Sequence, residues 1–172
     1  MGRAKQLLVL EGRSFLARVA AALGPEVDQV VLLGAGELPP DAPPLERLAD
    51  LPGLSGPLAG MLAAFAWRPE AAWIFAACDL PLLTPAAVAW LRGRRRAGTV
   101  AVLPRCGGRG VEPLFALYEP AARPRLVALA GDSDASLQRL AAEPGVATPT
   151  PPGGLRAAWR NVNTPEDLAA LR

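Results

Sequence analysis

An aspartate at a strand end, an isolated lysine, a pair of asparagines and a glycine-bracketed helix start are the features whose residue types and spacing suit chemistry. Asp79 follows the most strand-like run of the chain, Ala72 to Ala77 (AWIFAA), in the stretch ACDLPLLTP. Open α/β sheets bind ligands outside the carboxyl ends of their strands. A carboxylate there suits Mg²⁺, a hard ion that takes carboxylate, water and phosphate oxygens. It suits an Asx-turn into Leu80-Pro81 as well. Lys5 is the only lysine among 18 Lys+Arg, and Ile74 is the only isoleucine. Such depletion reads as a coding bias that replaces lysine by arginine wherever either serves. A lysine that survives it is expected to have a task of its own, and a compact point charge beside a triphosphate is one such task; a lone solvated surface lysine has the same appearance.

Gly56 and Gly60 bracket a helix start in SGPLAG (55–60), where main-chain N–H groups and the positive helix end can approach a ligand. An ordinary loop-to-helix junction with Pro57 in its first turn has the same appearance. Asp50, slightly upstream, can accept from the adjacent N–H and NH₂ of a guanine edge, or it can stand solvated in a loop. Asn161 and Asn163 are the only asparagines. Strand-like alternation sends both amides to one face and Val162 to the core, while a helix cap at Thr164 accounts for the segment equally. Arg92, Arg94, Arg95 and Arg96 sit at a helix end, where cations complement the dipole and stay solvated. Trp67, Trp73, Trp90 and Trp159 read as packing residues.

These residues need a scaffold, and the sequence describes one. Short apolar runs alternate with Ala/Leu-rich helical patterns, which points to βαβ units and a largely parallel sheet. Helices are expected over 14–23 (capped by Ser14, stopped by Gly24), from Pro57 through Trp67, from Thr84-Pro85 to Gly93, over 121–130 and 135–142, and after Thr164. Strands are expected over 27–33, 72–77, 99–103 and 114–118, with a short one near Val146. Residues 41–55 and 148–154 read as loops. No linker or repeat divides the chain, so 1–172 is expected to be one domain.

Composition narrows the function. The 172 residues contain no histidine, which removes Ser-His and Cys-His catalysis and the commonest zinc ligand. A net charge of +2 argues for neither nucleic acid nor a membrane surface. No apolar run reaches the roughly 18–20 residues of a membrane span. Cys78 and Cys106 match no metal or redox spacing, so reduced thiols and a cytoplasmic protein are expected.

Taken in order, the segments resemble the molybdenum-cofactor guanylyltransferase family. Met1-Gly2-Arg3-Ala4-Lys5 resembles the end of its glycine-rich loop, GPLAGMLAAF (56–65) its base-binding segment, CDLPLL (78–83) its metal-binding turn, and NVNTPEDL (161–168) its C-terminal signature. The resemblance implies a Rossmann-like three-layer α/β fold of the nucleotide-diphospho-sugar transferase type. It implies Mg²⁺ on Asp79 and GTP phosphates on Lys5, with the guanine against Asp50 and Gly56-Pro57-Leu58. Asn161 and Asn163 would face the molybdopterin. The implied reaction is attack by the terminal phosphate of molybdenum-bound molybdopterin on the α-phosphorus of GTP, releasing pyrophosphate. Transient contact with cofactor-assembly proteins or acceptor enzymes would accompany it.

Two departures stand out. Ala4 replaces the family's aspartate before the lysine, and the family's first strand has no counterpart. That strand is central in a doubly wound sheet, so a hole is expected between its neighbours, and a start upstream of Met1 is the expected explanation. The rival readings are a cytidylyltransferase acting on the same cofactor and a non-catalytic binding protein.

Overall fold

The computed structural model describes residues 4–108, 110–132 and 135–171. The expected contributions of Met1, Gly2 and Arg3 lie outside them. In chain order the elements are β1 (Val9–Leu10), β2 (Arg13–Ser14), α1 (Phe15–Leu23), β3 (Val31–Leu33), β4 (Glu46–Leu48), α2 (Pro57–Trp67) and β5 (Trp73–Ala76). They continue with α3 (Pro85–Arg92), β6 (Ala101–Val102), β7 (Phe115–Tyr118), α4 (Arg123–Ala130), β8 (Val146–Ala147) and α5 (Pro165–Ala169).

Local chemistry sets the helix starts. The Ser14 hydroxyl accepts from Ala17 N–H, and Thr84 Oγ1 accepts from Ala87 N–H, so each satisfies a donor the helix leaves orphaned. Pro57 occupies the first turn of α2, whose length from Leu58 to Phe65 is buried. The expected strand over 27–33 is confined to Val31–Leu33, the three residues that pair with β4. Residues 137–142 form a 3₁₀ helix rather than an α-helix, and a second one, Gly153–Trp159, begins where only loop was expected. The supposed loop 41–55 contains β4.

The main sheet has the order β5-β7-β6-β8. β7 is antiparallel to β5 and to β6, and β8 is parallel to β6. Three of its four strands, β5, β6 and β8, therefore share one direction, and β7 alone reverses. β3 and β4 form a separate parallel pair. Two apolar clusters sandwich this arrangement. One joins α2, α4 and the sheet through Phe65, Phe75 and Tyr118, and the other joins α1, α3 and the sheet through Val88, Leu91, Phe115 and Trp159. The Trp159 ring stacks on Phe115 at 4.5 Å and its indole N–H donates to Phe115 C=O, which bears out a packing role. This is the three-layer α/β architecture.

Between β3 and β5 lies a cleft of about 900 Å³, lined by Val31, Leu32 and Leu33 on one wall and by Ile74, Phe75 and Ala76 on the other. This cleft stands where a hole in the sheet was expected. Gln6 donates to Glu37 C=O, just past β3, while Lys5 reaches Asp79, just past β5. Adjacent residues thus touch the carboxyl ends of both strands, so β3 and β5 point the same way.

Candidate functional site

Three segments far apart in sequence meet at that carboxyl end. A third apolar cluster of Leu10, Phe15 and Val162, with Leu8, Leu82, Leu168 and Leu171 against it, holds them together. Leu10 is brought in by the β1–β2 hairpin, whose two turn residues Glu11 (φ 50°) and Gly12 (φ 76°) take the left-handed conformations of a tight turn. Val162 is completely buried, and its N–H donates to Asp79 C=O at 2.9 Å. Asn161 and Asn163 flank it on the exposed side, as alternation predicted.

On this frame the Lys5 ammonium donates to Asp79 Oδ2 at 2.7 Å and to Asn163 Oδ1 at 2.5 Å. The Asp79 residue is only 8% exposed, and its second oxygen, Oδ1, is buried without a hydrogen-bond partner. An orphaned carboxylate oxygen of this kind is costly unless something takes it up. The Lys5 side chain is 40% exposed and that of Asp79 only 12%, so the lysine can leave cheaply only if another cation takes its place on the carboxylate. Burial, with the Asp79 charge adding to it, raises the neighbouring Cys78 thiol above its usual range, so that thiol stays protonated.

Among the described residues no group of three or more His, Cys, Asp or Glu could hold a metal ion. That donor set excludes an all-protein cage. It would suit Mg²⁺ held by one or two carboxylates and completed by phosphate oxygens and water, for which the unpartnered Oδ1 of Asp79 is the donor on offer.

The second part of the site is the carboxyl end of the cleft, lined by Gly34, Gly36, Asp50, Gly56, Pro57 and Gly60. The Asp50 carboxylate lies over two glycines: a Cβ on Gly34 would stand 3.5 Å from Oδ2, and one on Gly60 3.2 Å from Oδ1. Arg47 donates to the C=O groups of Gly34 and Gly36, and Gln6 to that of Glu37, so the loop after β3 is clamped from both sides. Gly56 (φ 68°) opens α2 in a conformation that favours glycine. The Leu58 side chain is buried in the core, so its main chain, in the first turn of α2, is the part that can face a ligand.

The structure therefore groups Lys5, Asp79 and Asn163 in one cluster and Asp50, Gly56 and Pro57 in another, with Gln6 and Cys78 lining the cleft between them. Asn161 is exposed beside the first cluster. Arg92 and Arg95 pair with Glu26 and Glu119 on the surface, in keeping with the solvated reading. Sequence reasoning missed Gln6 and Arg47, which act through main-chain carbonyls and leave no motif. No helix of the described residues is long and apolar enough to cross a membrane.

Comparison with known proteins gives this geometry its family. Residues 1–147 match the model of the MobA-like NTP transferase domain. The chain belongs to that family. A molybdenum cofactor guanylyltransferase of Bradyrhizobium sp. (strain ORS 278) is 33% identical over 184 residues, spanning 98% of this chain and 83% of that protein. One of Rhizobium meliloti (strain 1021) is 35% identical over 182 residues, with the same coverage. Among solved structures, molybdopterin-guanine dinucleotide biosynthesis protein A from Archaeoglobus fulgidus superposes with a TM-score of 0.77 at 22% identity, covering 99% of this chain and 89% of that one. The 2-C-methyl-D-erythritol 4-phosphate cytidylyltransferase of Thermus thermophilus has a TM-score of 0.64 at 18% identity, covering 97% and 91%. These two structures share the fold, of the nucleotide-diphospho-sugar transferase type, with this MobA-like chain.

Proposed function

We propose that this MobA-like protein transfers GMP from GTP to molybdenum-bound molybdopterin and releases pyrophosphate. The observation that carries the reading is the Lys5–Asp79–Asn163 cluster, set at the carboxyl end of the cleft that also holds Asp50 and the start of α2. Identity above 30% to guanylyltransferases over nearly the whole chain supports the choice of reaction.

Each residue has a physical task. Asp50, braced over Gly34 and Gly60, accepts the paired N–H and NH₂ donors of guanine. Gly56, Pro57 and the main chain of Leu58 close around the base at the head of α2. Lys5 exchanges its pair with Asp79 for the triphosphate, where negative charge develops as pyrophosphate leaves. Asp79, so released, offers its carboxylate to Mg²⁺. Bound there, Mg²⁺ supplies neutralisation of the phosphate charge and a fixed geometry for in-line displacement. Asn161 and Asn163 present amides to the molybdopterin, whose terminal phosphate oxygen forms the new bond to the α-phosphorus as the bond to the leaving pyrophosphate breaks. No step needs a histidine.

Calorimetric titration with GTP, CTP and ATP, each with Mg²⁺, tests the reading on this chain and on Asp79→Ala. GTP is expected to bind selectively, and Asp79→Ala is expected to lose Mg²⁺-dependent turnover by at least about a hundredfold. A preference for CTP would replace guanylyl by cytidylyl transfer. Binding without turnover, unchanged by Asp79→Ala, would leave a non-catalytic binding protein.

A further inference from the structure

Asn163 is the less obvious of the two partners of Lys5, because nothing in its own side chain fixes where the amide points. Its main chain is fixed twice. On one side, Val162 is buried against Leu10 and Phe15 and hydrogen-bonds Asp79 C=O. On the other, Asp167 Oδ2 accepts from Asn163 N–H and from Thr164 N–H, each at 3.0 Å. Thr164 Oγ1 accepts in return from Asp167 N–H at 3.1 Å.

We infer that Asp167 is a positioning residue for Lys5, acting through the main chain of Asn163. The reciprocal bonds of Asp167 and Thr164 form a capping box, which explains their value to α5. A capping box alone requires one bond from the cap residue's N–H to the acid. The second bond, to Asn163 N–H, lies outside the helix and falls on the residue that holds the lysine. A carboxylate that accepts two adjacent main-chain N–H groups fixes the peptide plane between them. The Asn163 amide is thereby presented to an ammonium that is its partner from 158 residues away. The catalytic consequence rests on the function proposed above, whereas the link from Asp167 to Lys5 stands on the geometry alone.

The two halves of the box can be separated experimentally. Thr164→Ala removes the hydroxyl that caps α5 and leaves both N–H bonds to Asp167 intact. Asp167→Ala removes both. Because Lys5 is the only lysine, protein labelled with ¹³C,¹⁵N-lysine gives a single side-chain ammonium signal, read in the ligand-free state. Asp167→Ala and Asn163→Ala are expected to shift that signal alike, and Asp167→Asn, which keeps an acceptor oxygen, to restore most of it. Thr164→Ala is expected to lower the melting temperature and leave the lysine signal in place. Turnover is expected to fall about tenfold in Asp167→Ala, the lower end of what supporting partners contribute around a charged site. A lysine signal unmoved by Asp167→Ala, or moved as far by Thr164→Ala, would overturn the inference and reduce Asp167 to a helix cap. Should the signal move as expected while no variant changes turnover, the positioning holds and the catalytic role proposed for Lys5 fails.

Discussion

At Gly60 a Cβ would stand 3.1 Å from Leu33 Cβ and 3.2 Å from Asp50 Oδ1. The position is inside α2, where alanine is favoured over glycine by about 1 kcal/mol. Helix preference and packing therefore pull in opposite directions. Leu33 belongs to a short strand paired with β4 and cannot withdraw freely, so the Asp50 carboxylate is the group that gives way. Gly60→Ala is expected to change the melting temperature little, because helix propensity offsets the local crowding. The same variant is expected to lose about tenfold in GTP affinity, the equivalent of one charge-assisted hydrogen bond. Thermal unfolding and calorimetry on one preparation separate the effects. Loss of stability with affinity retained would show that Asp50 does not read the base. The lone lysine also bonds two acceptors on different segments, Asp79 and Asn163, with a compact charge on a single nitrogen.

Among the elements, α5 owes its start to Asp167. The N–H groups of Asn163 and Thr164 hold that carboxyl below its ordinary value of 3.8. A depressed carboxyl stabilises the fold fully above its ordinary value and loses that contribution as pH falls through the lowered one. The amide shifts of Asn163 and Thr164 are therefore expected to stay constant from neutral pH down to about pH 4 and to move together below it. Movement at higher pH would mean that Asp167 does not hold them. Caps of this kind also explain what was legible in the sequence. Ser14, Thr84 and Thr164 cap α1, α3 and α5, and Pro57 occupies the first turn of α2, so one or two neighbouring residues decide each start. β4 was not legible. Its sequence Glu-Arg-Leu has no apolar alternation, and it is a strand because β3 offers it a partner. The hairpin of β1 and β2 was missed for want of length. The site followed the same division. Lys5, Asp50, Asp79 and Asn163 stood out by type and place. Their convergence did not, because it depends on Val162 finding Leu10 and Phe15 across the length of the chain.

At the scale of the whole molecule, the cleft between β3 and β5 sets the strongest constraint. Gly34 N–H donates to Leu48 C=O, so in the parallel ladder Leu32 also faces β4, and Val31 and Leu33 turn their main-chain groups toward the cleft. Ala77 N–H donates to Leu114 C=O, so Phe75 faces β7, and Ile74 and Ala76 turn theirs toward the cleft from the other side. Two strand edges thus confront each other inside one protein, where main-chain groups need either a partner or water. Amide exchange reads this directly. Val31, Leu33, Ile74 and Ala76 are expected to exchange at least about a hundredfold faster than Leu32 and Phe75, which lie one residue away in closed ladders. Slow exchange at all six would mean that the cleft is closed in solution. An extended strand running parallel to both walls would pair with both edges at once, and it would emerge beside Lys5 and Gln6, which span the carboxyl ends of β3 and β5. Adding an apolar strand of about five residues at the amino end, joined by glycines, is accordingly expected to slow exchange at those four amides and raise the melting temperature. The same extension with proline at its centre lacks a ladder donor and is expected to do neither. If both extensions stabilised the chain equally, apolar covering rather than strand pairing would be what the added segment supplies.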